Sequence, residues 1–408
     1  MKMIRLFPSG NIRMPALLIL LCMLVPGKAL LAQKNKLSMK ALIQKDLTCA
    51  AEQYKVLMQH TPGDRFPRSF DSSHNKLLTS DSQWWCSGFY PGTLWYLYES
   101  TGDTALRKEA VRMLGLLRPE QFDYQDHDLG FKIQCSFGNA LRITHDSGFK
   151  QVILNAAWSL AKRYRPSIRS IQSWDSSSRF HCPVIIDNMM NLELLEWAAH
   201  NGGGENLNRI ATDHANTVIR NQFRPDYSSF HVVDYDLASG KPARKVTWQG
   251  ASDSSSWSRG QAWGLYGFTM MYRYTRDPNY LTQARHIANY IIRHPNLPAD
   301  GVPYWDFNAP GIPDARRDAS AAAVMASALL ELGQYTEAAA RKEYIEVAER
   351  IIRTLSSESY LAEHGSNGGF LLRHSVGAYP QHAEVDMPLS YADYYFAEAL
   401  LRYRKWYL

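Results

Sequence analysis

An (α/α)6 barrel, a closed ring of six helical hairpins, is the all-α fold this sequence predicts. Apolar residues recur at helical spacing in about twelve segments, short links join most of them in pairs, and strand-like alternation is confined to one place. An open helical superhelix is the rival, but no repeat of fixed period with matching residues runs through the chain.

The first segment stands outside that fold. Lys2, Arg5 and Arg13 precede the apolar run PALLILLCMLV, and small residues follow up to Ala32, the arrangement of a secretory signal peptide. Cleavage after Ala32 and export, to the periplasm, are expected, although Leu30 is larger than the residue usually found three positions before the cut. Cys22 leaves with this leader, and LLILL ahead of it lacks the small residue that neighbours a lipid-modified cysteine. Residues 33–408 are read as one domain, because no Gly/Ser-rich or Pro-rich linker divides them.

Helices are predicted over 37–60, closed by Pro62 and Gly63, then from the turn at 87–92 to Gly102, then over 104–117, 130–143, 147–165, 184–200 and 205–222. Five more follow, over 258–276, 278–294, 316–334, 336–357 and 388–407. A polar loop is expected before Gln83. The strand signal lies in FHVVDYDLASGKPARKVTW, residues 230–248, where alternation around Ala-Ser-Gly predicts a small β-hairpin inserted at one mouth of the barrel.

Composition excludes several functions. The net charge of +6 falls to +2 without the leader, too little for a nucleic-acid partner. No later apolar run is long enough for a membrane span. Cys49, Cys86, Cys135 and Cys182 form no C-x-x-C pair, so neither a zinc site nor a disulfide framework is expected. The His-Asp neighbours in DHDLGF and at His145-Asp146 lack an i, i+4 partner, and no metal, cofactor or nucleotide motif appears. No G-x-S-x-G offers a serine nucleophile.

Two carboxylates remain. Asp187 opens IIDNMMNLELLEWAA, residues 185–199, a buried helix by its spacing. It reads either as an N-cap or as a carboxyl that apolar neighbours keep protonated for delivery to a substrate. Asp128 opens another predicted helix, and a ring of helices brings such starts to one mouth, as an acid and a base for glycoside cleavage require. Eleven Trp, several of them near these starts and in the 247–263 loop, suit a pocket for sugar rings, although any one of them is equally a core residue.

The ordered motifs WCSGFYPGTLWYLYESTGD, DHDLGF, IIDNMMNLELLEWA, WSRGQAWGLYGF, RDASAAAVMASALLEL, HSVG and YADYYFAEALLRY resemble glycoside hydrolase family 88, the unsaturated glucuronyl hydrolases, over nearly all of the mature chain. The resemblance implies an (α/α)6 barrel that removes a 4,5-unsaturated uronic acid from the non-reducing end of lyase-generated oligosaccharides, its partner being that sugar. Asp187 matches the family's acid/base and Asp128 its second essential carboxylate, placed directly before Leu-Gly-Phe, with Asp126 a near neighbour. His231, Gln249, Arg259 and Trp263 fall on positions that surround the unsaturated sugar, and His127, Trp85 and Trp174 fall near positions that wall the pocket. Arg259 is also readable as a structural ion pair and His231 as a buried, hydrogen-bonded histidine. Implied alternatives are an unsaturated rhamnogalacturonyl hydrolase acting on pectin fragments, an ordinary inverting glycosidase and a sugar-binding module without catalysis. Arg244, Lys245 and Arg373 are candidates for a sulfate-tolerant rim.

Overall fold

Twelve helical segments alternate between an inner and an outer ring in the computed structural model, which describes residues 37–408. The inner ring comprises α2 (Phe89–Thr101), α4 (a wide π-type run Gly130–Gly138 continued by Asn139–Thr144), α6 (Asn188–Ala198), α8 (Ser258–Thr275), α10 (Ala319–Leu332) and α12 (Ser390–Tyr407). Each packs on the next, and α12 returns to α2, which closes the barrel. The outer ring is α1 (Met39–His60), α3 (Thr104–Leu117), α5 (Ser147–Ala161), α7 (Glu205–Asn221), α9 (Pro278–Arg293) and α11 (Ala338–Leu355).

Burial explains which helix goes where. In α10 every residue of ASAAAVMASALLEL is buried, and its small side chains let neighbours approach from both sides. In α9 only the stripe Tyr280, Gln283, Ala284, Ile287, Ala288 and Ile291 is buried, so one face packs inward and the other meets water. Asp103, Asp146, Asp277 and Asp318 start α3, α5, α9 and α10, each accepting a backbone N–H from two residues ahead. Close contact inside the ring depends on glycine. A Cβ on Gly267 of α8 would lie 2.5 Å from the Met189 Cβ of α6, and one on Gly130 of α4 would lie 2.5 Å from the Asn191 Cα of α6.

The predicted hairpin is present as β6 (Val232–Asp236) and β7 (Lys241–Val246), and it gains a third strand, β5 (Pro183–Ile185), paired antiparallel with β6. Helix α6 therefore begins at Asn188 rather than 184, because the apolar stretch before it pairs with Val232 and Val233 instead of coiling. Strands are not confined to that hairpin. The stretch expected as a polar loop contains β1 (Phe66–Asp71) and β2 (Lys76–Ser80), β3 (Tyr164–Arg165) pairs with β4 (Ser170–Ile171) where helix was expected to continue to 165, and β8 (Ser375–Ala378) pairs with β9 (Ala383–Met387). These are short runs whose period is too brief to separate strand from loop or helix without a partner. Residues Met39–Leu408 form one compact unit. The leader expected over 1–32 lies outside the described residues, and among those described no helix is long and apolar enough to cross a membrane.

Gly267→Val should lower the unfolding midpoint, since overpacking of a filled interface costs about 1–3 kcal/mol. Denaturant unfolding checks it, and an unchanged midpoint would show that α6 and α8 separate freely.

Candidate active site

Alternation of inner and outer helices makes the six inner ones parallel, so their N-terminal ends and the segments leading into them share one mouth. Asp128 lies just before α4, Asp187 just before α6, Arg259 in the first turn of α8 and Asp318 at the start of α10. His231 directly precedes strand β6, and the turn after β7 adds Trp248 and Gln249.

Asp187 occupies the cap position of α6 but its side chain caps nothing. Its backbone is already helical, and Oδ2 is buried without a hydrogen-bond partner. About 14% of the side chain remains exposed, which leaves a route to the carboxyl. Burial pushes its pKa up to about 7, with the charge of Asp128 adding and that of Arg259 opposing.

Facing it is His231. Its Nδ1 accepts the backbone N–H groups of Trp248 (3.1 Å) and Gln249 (3.0 Å), and burial aided by Arg259 pushes its pKa down to about 3. The ring is therefore neutral with its proton on Nε2, 3.6 Å from Asp187 Oδ2. That separation is long for a hydrogen bond, so His231 directs a dipole at the carboxyl.

Asp128 is held differently. Oδ1 accepts from Asn191 Nδ2 at 3.0 Å, and Oδ2 lies 3.4 Å from His127 Nε2. Burial raises its pKa to about 6, with His127 opposing and Asp126 adding. The Asn191 side chain also accepts the Phe131 N–H at 3.0 Å, so one amide ties the start of α4 to α6 and fixes Asp128 beside Asp187. Asp126 has another task. It accepts the Asp128 N–H at 2.9 Å and pairs with the buried Lys132 at 2.6 Å, and although burial works against it, Lys132 holds its carboxyl low. Carboxylate and imidazole atoms of Asp126, His127 and Asp128 lie within 4.8 Å of one another, but the Lys132 ammonium already supplies a cation to that cluster, which disfavours a second.

Arg259 is a structural cation. Asp318 Oδ2 lies 3.2 Å from Nη1, the carbonyls of Val376 and Gly377 accept from the guanidinium, and the rings of Trp257 and Tyr391 lie over it at 4.6 and 5.2 Å. At 1% exposure it acts on the pocket through its field, and among its nitrogens Nε alone is a buried donor without a partner. Trp263 also differs from expectation. It is fully buried against Phe131 and Tyr395, so it supports the floor instead of touching a ligand. Gln249 donates to the Gly377 carbonyl at 3.1 Å, while Trp85 packs against Tyr391 and Phe131 with part of its ring exposed. Trp174 meets His127 edge-on at 6.3 Å. Arg373 is bonded to Ser366, whereas Arg244 and Lys245 lie on the hairpin.

Sequence reading missed Asn191 and Asp318, and it included Trp248 and Trp257 only as members of the 247–263 cluster. Asn191 follows Asp187 by four residues and so shares its helical face, a usable signal. Trp257 packs on the His231 ring at 4.7 Å, a contact between distant segments that carries no local signature.

Comparison with known proteins decides the family. The unsaturated glucuronyl hydrolase of Formosa agariphila is 46% identical over 363 residues, 88% of this chain and 90% of that protein. The chain belongs to the unsaturated glucuronyl hydrolases. It is accordingly a glycoside hydrolase. The crystal structure of an unsaturated glucuronyl hydrolase specific for heparin superposes with a TM-score of 0.87 at 44% identity, covering 90% of this chain and 97% of that one. A mutant of the Streptococcus agalactiae unsaturated glucuronyl hydrolase complexed with dGlcA-GalNAc6S superposes with a TM-score of 0.78 at 29% identity, covering 92% and 95%. No family model matches the chain. Its relatives bear out the closed-barrel reading.

Asn191→Ala should leave the Phe131 N–H unpartnered and release Asp128. A buried unsatisfied group costs about 1–3 kcal/mol, so a lower melting temperature is expected together with an activity loss of about tenfold or more. Loss of the ultraviolet absorbance of an unsaturated uronate reports the rate.

Proposed function

We propose that this enzyme removes 4,5-unsaturated glucuronic acid from the non-reducing end of glycosaminoglycan-derived oligosaccharides, with Asp187 as the proton donor. One observation carries the reading: the buried Asp187 carboxyl faces a neutral His231 whose tautomer two backbone amides fix, beside a second carboxylate. His231 directs its N–H at Oδ2, so the carboxyl proton resides on Oδ1. Asp128, whose Oδ1 accepts from Asn191 and whose Oδ2 has the His127 ring nearby, is the anion of the pair and keeps the proton on Asp187 by repulsion.

The substrate is an enol ether conjugated to a carboxylate. Asp187 delivers its proton to C4, leaving positive charge shared by C5 and the ring oxygen, and the resulting carboxylate takes a proton from the water that adds to C5. The hemiketal then opens and releases the remaining saccharide, so the proton account at Asp187 returns to its start. Trp85 and Trp174 supply aromatic surface to the sugars. The heparin-specific relative and the one holding dGlcA-GalNAc6S support a glycosaminoglycan source over pectin. Export belongs to the same proposal, supported by Lys2, Arg5 and Arg13 ahead of the apolar run.

Asp187→Asn should cut turnover of unsaturated disaccharides by about 10²–10⁴-fold, read as the rate of absorbance loss. Full retention would remove Asp187 from the role.

The pH dependence has a definite sign. Activity should decline above about pH 7 as Asp187 loses its proton, and below about pH 6 as Asp128 gains one. Asp187 has a folded pKa above its unfolded value, so its favourable contribution to stability is complete below about pH 4 and lost as pH rises through 7. Melting curves of Asp187→Asn should thus gain on the wild type between about pH 4 and 7 and run at a constant gap above that, and a gap constant across the whole range would contradict the raised pKa.

A further inference from the structure

Beside the catalytic pair lies a groove of about 320 Å³ lined by Trp174, Ser177, Arg179, Phe180 and Trp248. One intervening histidine links it to each acid. Trp174 meets the edge of His127, next to Asp128, while the backbone N–H of Trp248 holds His231, which faces Asp187. Its rings are set edge to face, Trp174 to Phe180 at 5.6 Å and Phe180 to Trp248 at 6.1 Å, which gives apolar faces of the kind that sugar C–H groups cover. The walls are stitched together by Asp234 of β6, whose Oδ1 accepts the N–H groups of His181 and Cys182, each at 2.9 Å.

Two cations stand on this platform, and they are not equivalent. Arg244 lies 5.0 Å from the Phe180 ring centre, with its Nε 3.2 Å from the buried Asp234, so its charge is already answered. Arg179 lies 4.2 Å from the Trp248 ring centre and 5.4 Å from that of Phe180, and no carboxylate pairs with it among the described residues. Its side chain is exposed. Stacking on an indole holds a guanidinium face-on and leaves its N–H edge free for a planar or tetrahedral anion.

Resting on the functional reading above, we propose that Arg179 is a specificity-determining residue: it receives a sulfate on the sugar that follows the unsaturated uronate, while Trp174 and Trp248 carry that sugar's ring. The groove holds the leaving saccharide, and Arg179 supplies the charge that an unsulfated sugar does not use. Arg244, neutralised by Asp234, keeps the platform in place.

The test compares wild type, Arg179→Gln and Arg179→Lys on unsaturated uronyl-hexosamine disaccharides that are unsulfated, 6-O-sulfated or N-sulfated, by kcat/KM and by calorimetric binding. Wild type should prefer one sulfated member, and the member preferred identifies the sulfate that Arg179 meets. Arg179→Gln should reduce that preference by about five- to tenfold with the unsulfated rate unchanged, the scale of one partly screened charge-assisted contact. Arg179→Lys should retain part of it, and added salt should narrow it in the wild type alone. Equal loss on sulfated and unsulfated sugars would assign Arg179 to holding Trp248 and overturn the proposal, as would a wild type without preference. Failure of the functional reading is separate: it is the absence of turnover on every disaccharide, in which case the binding ratios still decide the role of Arg179.

Discussion

A buried guanidinium organises the mouth of this barrel. Arg259, in the first turn of α8, carries a full charge at a depth where an unpaired ion would be costly, and the surroundings are built to answer it. Asp318 supplies the counter-charge and at the same time caps α10 through the Ser320 N–H. Val376 and Gly377 turn their carbonyls toward the guanidinium, which draws β8 over the pocket and lets Gln249 bond to the same Gly377 oxygen. Aromatic faces from Trp257 and Tyr391 close the remaining sides. One charge therefore gathers α8, α10, α12 and β8 into a single wall.

The same charge sets the chemistry of its neighbours in opposite ways. It helps to keep His231 neutral, because a second cation nearby is unfavourable, and a neutral ring is what can accept two backbone N–H groups and still offer a donor. On Asp187 it pulls toward ionisation, against burial and against Asp128. Burial wins, but the contest leaves the carboxyl near neutrality, not far above it. A proton held too tightly transfers poorly, and one held too weakly is absent at working pH.

Much of the barrel was legible from period alone, since inner and outer helices both carry long apolar patterns and Pro, Gly and Asp mark their ends. The strands beyond the one hairpin were not, because segments such as Pro183–Ile185 and Ser375–Ala378 become strands only by meeting partners far along the chain. At the site, motif resemblance brought Asp128, Asp187, His127, His231 and Gln249 to one mouth, yet it left open whether Arg259 faces a sugar or an ion pair. The deciding group, Asp318, is 59 residues away. Trp263 illustrates the opposite limit: an aromatic at the right place in a motif is fully buried behind Phe131. Asp187 itself was readable as a cap from its position at a helix start, and only the side-chain geometry separates a capping oxygen from one left without a partner.

A raised pKa by itself does not single out a catalytic acid in this molecule. Burial pushes Asp46 up to about 6 and Glu196 and Asp393 up to about 7, values like those of Asp128 and Asp187. Asp393 accepts the N–H groups of Leu371 and Leu372 and the Tyr54 hydroxyl, which makes it a staple for a loop. Asp46 lies on outer helix α1, and Glu196 near the C-terminal end of α6 bonds to Asn208. Around the cavity of about 490 Å³ toward that same end of the inner helices, Glu193 and Glu331 pair with Arg273, and Glu331 and Glu398 with Arg402. Those acids have cations in direct contact, Arg273 for Glu193 and Arg402 for Glu398, with Glu331 between the two. Asp187 differs in its company: a second carboxylate, a donor with a fixed tautomer and a partly open path lie together at the mouth, while the cation that would discharge it, Arg259, is committed to Asp318.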